Sequence, residues 1–91
     1  MKVVIDNAIP YIKGVLEPYA EVLYREGIAF SREDVADADL LIIRTRTRCN
    51  ASLLDGSSVK MIATATIGFD HIDLEYCQKL GIEVVTAQGC N

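Results

Sequence analysis

The stretch ATATIGFDHID, residues 63–73, decides how the chain folds. Met61 and Ile62 begin an apolar run that predicts a strand, and that strand delivers Thr64 and Thr66 to its carboxyl end. Gly68 permits a tight turn, and Asp70 or Asp73 starts a helix. A strand end bearing hydroxyls and a glycine, facing a helix start, is where open α/β sheets take their ligands. Free N–H groups at such a place favour anions. The expectation is a site for a small acidic molecule.

The same strand–turn–helix pattern repeats on both sides. Val3–Ile5 predicts a buried strand ending at Asp6 and Asn7. Pro10 suits a helix start, with Ile9, Ile12, Val15 and Leu16 on one face until Pro18. Ala20–Tyr24 predicts a second strand closed near Gly27. Ser31 with Asp34 three residues on predicts a capping box and a short helix through Ala36. Leu40–Ile43 is the most apolar run and predicts a central strand buried on both faces. Asn50 is placed to cap a helix through Leu54, with Gly56 as its stop. Lys60–Thr66 is the fourth strand, Asp73–Leu80 a helix ending at Gly81, and Ile82–Thr86 the fifth strand. Strands alternating with helices imply parallel βαβ units. The expected fold is a flavodoxin-like, doubly wound α/β sheet of five strands, ordered 2-1-3-4-5.

Ninety-one residues make one domain, burying roughly 60 to 65% of the unfolded surface. No apolar run is long enough to span a bilayer and no signal-peptide core follows Lys2, so a cytoplasmic protein without a membrane partner is expected. Cys49, Cys77 and Cys90 form no C-x-x-C pair, and reduced thiols are the reading. The net charge of −4 argues against nucleic acid. Within that acidic total, Arg44, Arg46 and Arg48 stand inside five positions and form a local basic patch.

In the expected order the turns after the third and fourth strands lie side by side. Together they offer Arg44, Thr45, Arg46, Thr47, Thr66 and the backbone around Gly68. Arginine forks grip carboxylate or phosphate through paired, charge-assisted bonds. In an extended stretch the three arginines share one face while Thr45 and Thr47 take the other, so all cannot meet one ligand. Blander roles stand beside these. Thr64 and Thr66 are also good strand formers, Asp70 and Asp73 good helix caps, and His71, with no paired acid in sequence, fits a structural role better than that of a base. The six glycines form neither G-x-G-x-x-G nor a P-loop, no nucleophile elbow occurs, and the lone histidine excludes a His-rich metal site.

The segments VVIDNAIPY (3–11), ADADLLIIRTRTRCN (36–50), ATATIGFDHID (63–73) and GIEVVTAQGCN (81–91) resemble the amino-terminal part of the D-isomer-specific 2-hydroxyacid dehydrogenases. The likeness runs across all 91 residues. The G-x-D-H-I-D element marks the broad family. The arginine–hydroxyl pair, the T-A-T and the terminal G-C-N resemble its branch acting on 4-phospho-D-erythronate. The resemblance implies oxidation of that substrate's 2-hydroxyl with NAD as acceptor, in bacterial pyridoxal phosphate biosynthesis. It also implies that Thr45 and Thr66 hold the substrate, and that backbone N–H groups at Ile67 and Gly68 meet its carboxylate. Charge would place Arg44 and Arg46 at the phosphate. The catalytic residues and the glycine-rich NAD loop are expected beyond Asn91. Residues 1–91 would then be a substrate-binding segment, inactive alone, of a homodimeric parent.

Two other readings compete. One is a sister enzyme acting on another 2-hydroxy acid such as phosphoglycerate. The other is a stand-alone flavodoxin-like binding module. A receiver domain would need an aspartate where Arg44 and Thr45 stand, and a lysine where Thr86 and Ala87 stand. A flavodoxin would need a hydroxyl-rich loop at Asp6–Pro10.

Overall fold

Five parallel strands form a single sheet in a computed structural model that describes residues 1–9, 14–66 and 68–86. They are β1 (Lys2–Asp6), β2 (Glu21–Arg25), β3 (Leu40–Ile43), β4 (Met61–Thr64) and β5 (Glu83–Thr86), in the order 2-1-3-4-5 that the alternation predicts. The register sets Ile5 beside Ile42, Ile42 beside Ala63 and Ile43 beside Thr64. All carboxyl ends therefore reach one rim.

Among the described residues three short helices connect the strands: α1 (Arg32–Val35), α2 (Ala51–Leu54) and α3 (Leu74–Leu80). Val35, Leu53, Leu54 and Cys77 from these helices join Val4, Leu41, Ile43 and Ile62 from the sheet in one core cluster. All three helices thus cover the same face. The expectation that Leu40–Ile43 is buried on both faces needs correction. Burial alternates along it, with Leu41 and Ile43 fully buried and Leu40 and Ile42 half-buried. Period-two alternation means that one well-covered face suffices to select an all-apolar run.

Helix ends follow local chemistry in two of three cases. Ser31 and Asp34 form the expected capping box of α1. The Asp73 carboxylate accepts from the Tyr76 N–H at 3.0 Å, and Gly81 closes α3 with φ +75°. Asn50 occupies the cap position of α2 but its side chain makes no capping bond. The helix expected from Pro10 to Pro18 is not found over its described part. Residues 14–19 form turns, Gly14 has φ +86°, and Val15 is exposed. Ile12 lies outside the described residues. A short 3-10 turn at Gly27–Ala29 was not foreseen. Among the described residues no helix is long and apolar enough to cross a membrane.

Candidate functional site

The sheet order creates a crevice. The chain leaves β1 toward β2 on one side and leaves β3 toward β4 on the other, so the two exits diverge at the rim. Such a switch point is where open parallel sheets accommodate ligands. A cavity of about 340 Å³ sits there, and its described lining is Ala8, Arg44, Thr45 and Arg46. Its β1 side is fixed by an Asx turn, in which Asp6 Oδ1 accepts from the Ala8 N–H at 2.9 Å. Arg44 Nη1 reaches across to the Ala8 carbonyl at 3.4 Å. Arg44, Thr45 and Arg46 therefore border one concave surface of an otherwise acidic protein. That set is suited to an anion bearing hydroxyl groups.

The strict alternation expected for residues 44–48 does not occur, because the chain turns immediately after Ile43. Thr45 is exposed beside its two arginines. Thr47 is buried, with its hydroxyl donating to the Gly27 carbonyl at 2.8 Å. Thr47 therefore leaves the candidate ligand set and becomes a strut holding the β3 turn against the β2 turn. Arg48 points elsewhere: with Arg46 and Arg32 it borders a second, open cleft of about 530 Å³ between the starts of α1 and α2.

Thr66 occupies the neighbouring turn and is not among the residues lining the 340 Å³ cavity. The two turns are tied together by backbone bonds. The Cys49 N–H donates to the His71 carbonyl at 2.9 Å, and the Asp73 N–H to the Cys49 carbonyl at 2.8 Å. Thr66 Oγ1 donates to the Gly68 carbonyl at 2.8 Å and lies 2.8 Å from Thr64 Oγ1. Thr64 is fully buried and its hydroxyl lies 2.9 Å from His71 Nε2. Thr86 Oγ1 donates to the Thr66 carbonyl at 2.7 Å. Burial, with Arg48 nearby, pulls the His71 pKa below its ordinary 6.5, against the opposing pull of Asp70. The imidazole is therefore neutral near pH 7.

Gly68 does not need to be glycine for the fold. Its φ is not left-handed, and among the described residues an added Cβ would meet nothing within 4 Å. The open space beside it fits a backbone that a ligand approaches closely. Ile67 and residues 87–91, including Cys90, lie outside the described residues. Asp73 proves to be the helix cap and His71 to be bonded internally, as the blander alternatives held.

Two features escaped the sequence. Asp6 is fully buried, and among the described residues its Oδ2 has no hydrogen-bond partner. It lies directly beneath Gly27, next to the β carbon of Arg46. Nothing local in D-N-A announces this, since Asp6 also looks like an ordinary turn residue. The Thr64–His71 contact was closer to hand. The T-x-T spacing puts both hydroxyls on one side of the strand, where one relays to the other.

Comparison with known proteins identifies the family. Residues 2–91 match the model of the family described as D-isomer specific 2-hydroxyacid dehydrogenase, catalytic domain. The chain is 63% identical over 92 aligned residues to erythronate-4-phosphate dehydrogenase of Bacteroides thetaiotaomicron. It is 43% identical over 91 residues to the protein of that name from Porphyromonas gingivalis. All of this chain is aligned in both cases, but it spans only 26% and 25% of the length of those relatives. Among solved structures, NAD+-bound 3-phosphoglycerate dehydrogenase of Entamoeba histolytica superposes with a TM-score of 0.76 at 26% identity, covering 94% of this chain and 32% of that one. D-lactate dehydrogenase of Aquifex aeolicus reaches 0.79 at 24% identity, over 98% and 28% of the two chains, and speaks to the fold alone. The chain belongs to the D-isomer specific 2-hydroxyacid dehydrogenase family.

Proposed function

We propose that residues 1–91 are the substrate-binding segment of a cytoplasmic, homodimeric, NAD-dependent dehydrogenase. The enzyme oxidises the 2-hydroxyl of 4-phospho-D-erythronate to the 2-oxo acid, a step of pyridoxal phosphate biosynthesis. The observation that carries this reading is the cavity at the β1/β3 switch point, bordered by Arg44, Thr45 and Arg46. The relative at 63% identity bears the matching name.

The roles divide by chemistry. Arg44 and Arg46 supply charge and paired donors for the phosphate. Thr45 and Thr66, from adjacent turns, engage the hydroxylated carbon chain. The Gly68 backbone, and that of Ile67, receives the carboxylate without obstruction. The chain contributes binding rather than proton or hydride transfer, because His71 is already committed to Thr64.

Among the described residues the end of β1 does not favour NAD. β1 ends on the buried Asp6 carboxylate, at the place where a dinucleotide fold presents a glycine-rich turn to pyrophosphate. In the proposed enzyme the cofactor is held by another part, which supplies the hydride acceptor.

The test is kinetic. In the full-length enzyme, Thr66→Val is expected to lower kcat/KM by about 1–3 kcal/mol, the cost of leaving buried partners unpaired. An unchanged kcat/KM would remove Thr66 from the site. Side-by-side assays with 3-phosphoglycerate decide between this substrate and that of a sister enzyme, and a clear preference for phosphoglycerate would overturn the assignment.

A further inference from the structure

Hydrogen-bond direction in the Thr66 turn is forced by counting protons. A carbonyl only accepts, so Thr66 must spend its one hydroxyl proton on the Gly68 oxygen, 2.8 Å away. The 2.8 Å contact between the two threonines then requires Thr64 to donate to Thr66. With the Thr64 proton spent in turn, the 2.9 Å contact to His71 requires His71 Nε2 to be the donor. The chain runs one way: His71 Nε2–H to Thr64, Thr64 O–H to Thr66, Thr66 O–H to Gly68. Thr66 keeps one lone pair, and among the described residues no donor meets it.

From this we propose that Thr66, its proton committed to the Gly68 carbonyl, is a hydrogen-bond acceptor toward the substrate, and that His71 is a positioning residue that holds it there through Thr64. Resting on the function proposed above, this names the substrate group that Thr66 meets. A carboxylate or phosphate oxygen brings only lone pairs and would repel an accepting Thr66, so the partner is a substrate hydroxyl. The 2-hydroxyl must surrender its proton for oxidation to the 2-oxo acid. The hydroxyl free to donate is therefore the one at carbon 3, which does not react. Thr66 would then select substrates with a hydroxyl next to the oxidised carbon, and His71 would support that selectivity through Thr64, without touching the substrate.

His71 is suited to the task. It is buried, and the neutral imidazole that burial favours has a single N–H, so the donor must be placed on one nitrogen. The other direction of the chain would need Gly68 to donate from its carbonyl, which it cannot do. No alternative polarity satisfies all three contacts.

The experiment has two arms in the full-length enzyme. Selective 15N labelling of histidine is expected to show the His71 proton on Nε2, and a proton on Nδ1 alone would overturn the proposal outright. In kinetics, kcat/KM is compared for 4-phospho-D-erythronate and its 3-deoxy analogue. His71→Gln keeps an N–H near the Nε2 position and is expected to hold the preference within about threefold of the parent enzyme. His71→Leu removes the donor, leaves the Thr64 side chain free to rotate away from Thr66, and is expected to cut the preference by about tenfold, the scale of one buried hydrogen bond. A preference unchanged in the folded Leu variant, or lost equally in the Gln variant, would sink the positioning role. If Thr66→Val is silent, the site assignment fails. If Thr66→Val is costly while His71→Leu leaves the preference intact, only the role of His71 fails.

Discussion

Gly27 shows how a single hydrogen atom in place of a methyl group positions the candidate site. An added Cβ there would lie 2.5 Å from Asp6 Oδ2 and 3.1 Å from the β carbon of Arg46. The Asp6 carboxylate cannot swing aside freely, because its other oxygen is fixed to the Ala8 N–H. Gly27 also offers its carbonyl to the buried Thr47 hydroxyl, so its backbone is held from the opposite side. Gly27→Ala is therefore expected to destabilise the fold by about 1–3 kcal/mol, the usual cost of overpacking. The measurement is the urea midpoint at an unchanged m value. A midpoint equal to that of the parent would show that Asp6 and the β3 turn yield without strain. In sequence, Gly27 reads only as the punctuation after a strand. The demand comes from Asp6, twenty-one positions earlier, and no local pattern carries it.

At the scale of elements, the legible parts are those whose cause is local. Strand–helix alternation gives the five parallel strands, and the observed order is the one expected among the few that the handedness rule leaves. Serine or aspartate followed three residues on by an N–H to cap gives the starts of α1 and α3. The expected helix over 10–18 rests on apolar spacing bracketed by Pro10 and Pro18. That spacing ignores Gly14, which takes a left-handed φ in a turn whose N–H bonds to the Glu17 carboxylate at 2.9 Å. Asn50 and Asp73 separate position from chemistry, since both sit at a cap and only Asp73 makes the capping bond. Asp73→Ala is accordingly expected to cost about 1 kcal/mol, and Asn50→Ala a few tenths at most. Thermal unfolding of the two variants checks this, and equal shifts would mean that cap identity, not the observed bond, decides helix stability here. The candidate site shares this divide. The arginine–threonine run was visible as charge. The burial of Thr47 depends on a contact between turns, and the relay behind Thr66 on side-chain geometry within residues 64–71.

Across the whole molecule, the main core cluster lies on the helix-covered face of the sheet, with Val3 and Ile5 buried outside it, and Cys49 and Cys77 are buried within it. Burial, helped by proximity to Cys77, pushes the Cys49 thiol from an ordinary 9.0 up to about 12. Burial, helped by Asp73, raises Cys77 in the same direction. Below pH 9 both folded and unfolded chains hold these protons, so the thiols have no effect on the pH dependence of folding. Between pH 9 and 12 the unfolded chain releases the Cys49 proton while the folded chain retains it. Stability must therefore fall as pH rises through that window, by about 1 kcal/mol per pH unit from this group. Lys2, raised chiefly by its hydrogen bond to Asp37, and Tyr76, raised chiefly by burial, push the same way. The contribution of Cys49 is thus isolated only by difference. Urea unfolding of the parent and of Cys49→Ala from pH 8 to 11 should show the parent's stability falling more steeply, so that the gap between them narrows with pH. The backbone of Cys49 ties the β3 turn to the β4 turn, so a thiolate forming there would loosen both halves of the proposed substrate site together. Parallel decline of the two proteins would show that the Cys49 thiol ionises in the folded state, and that the seam between the turns opens to water without unfolding.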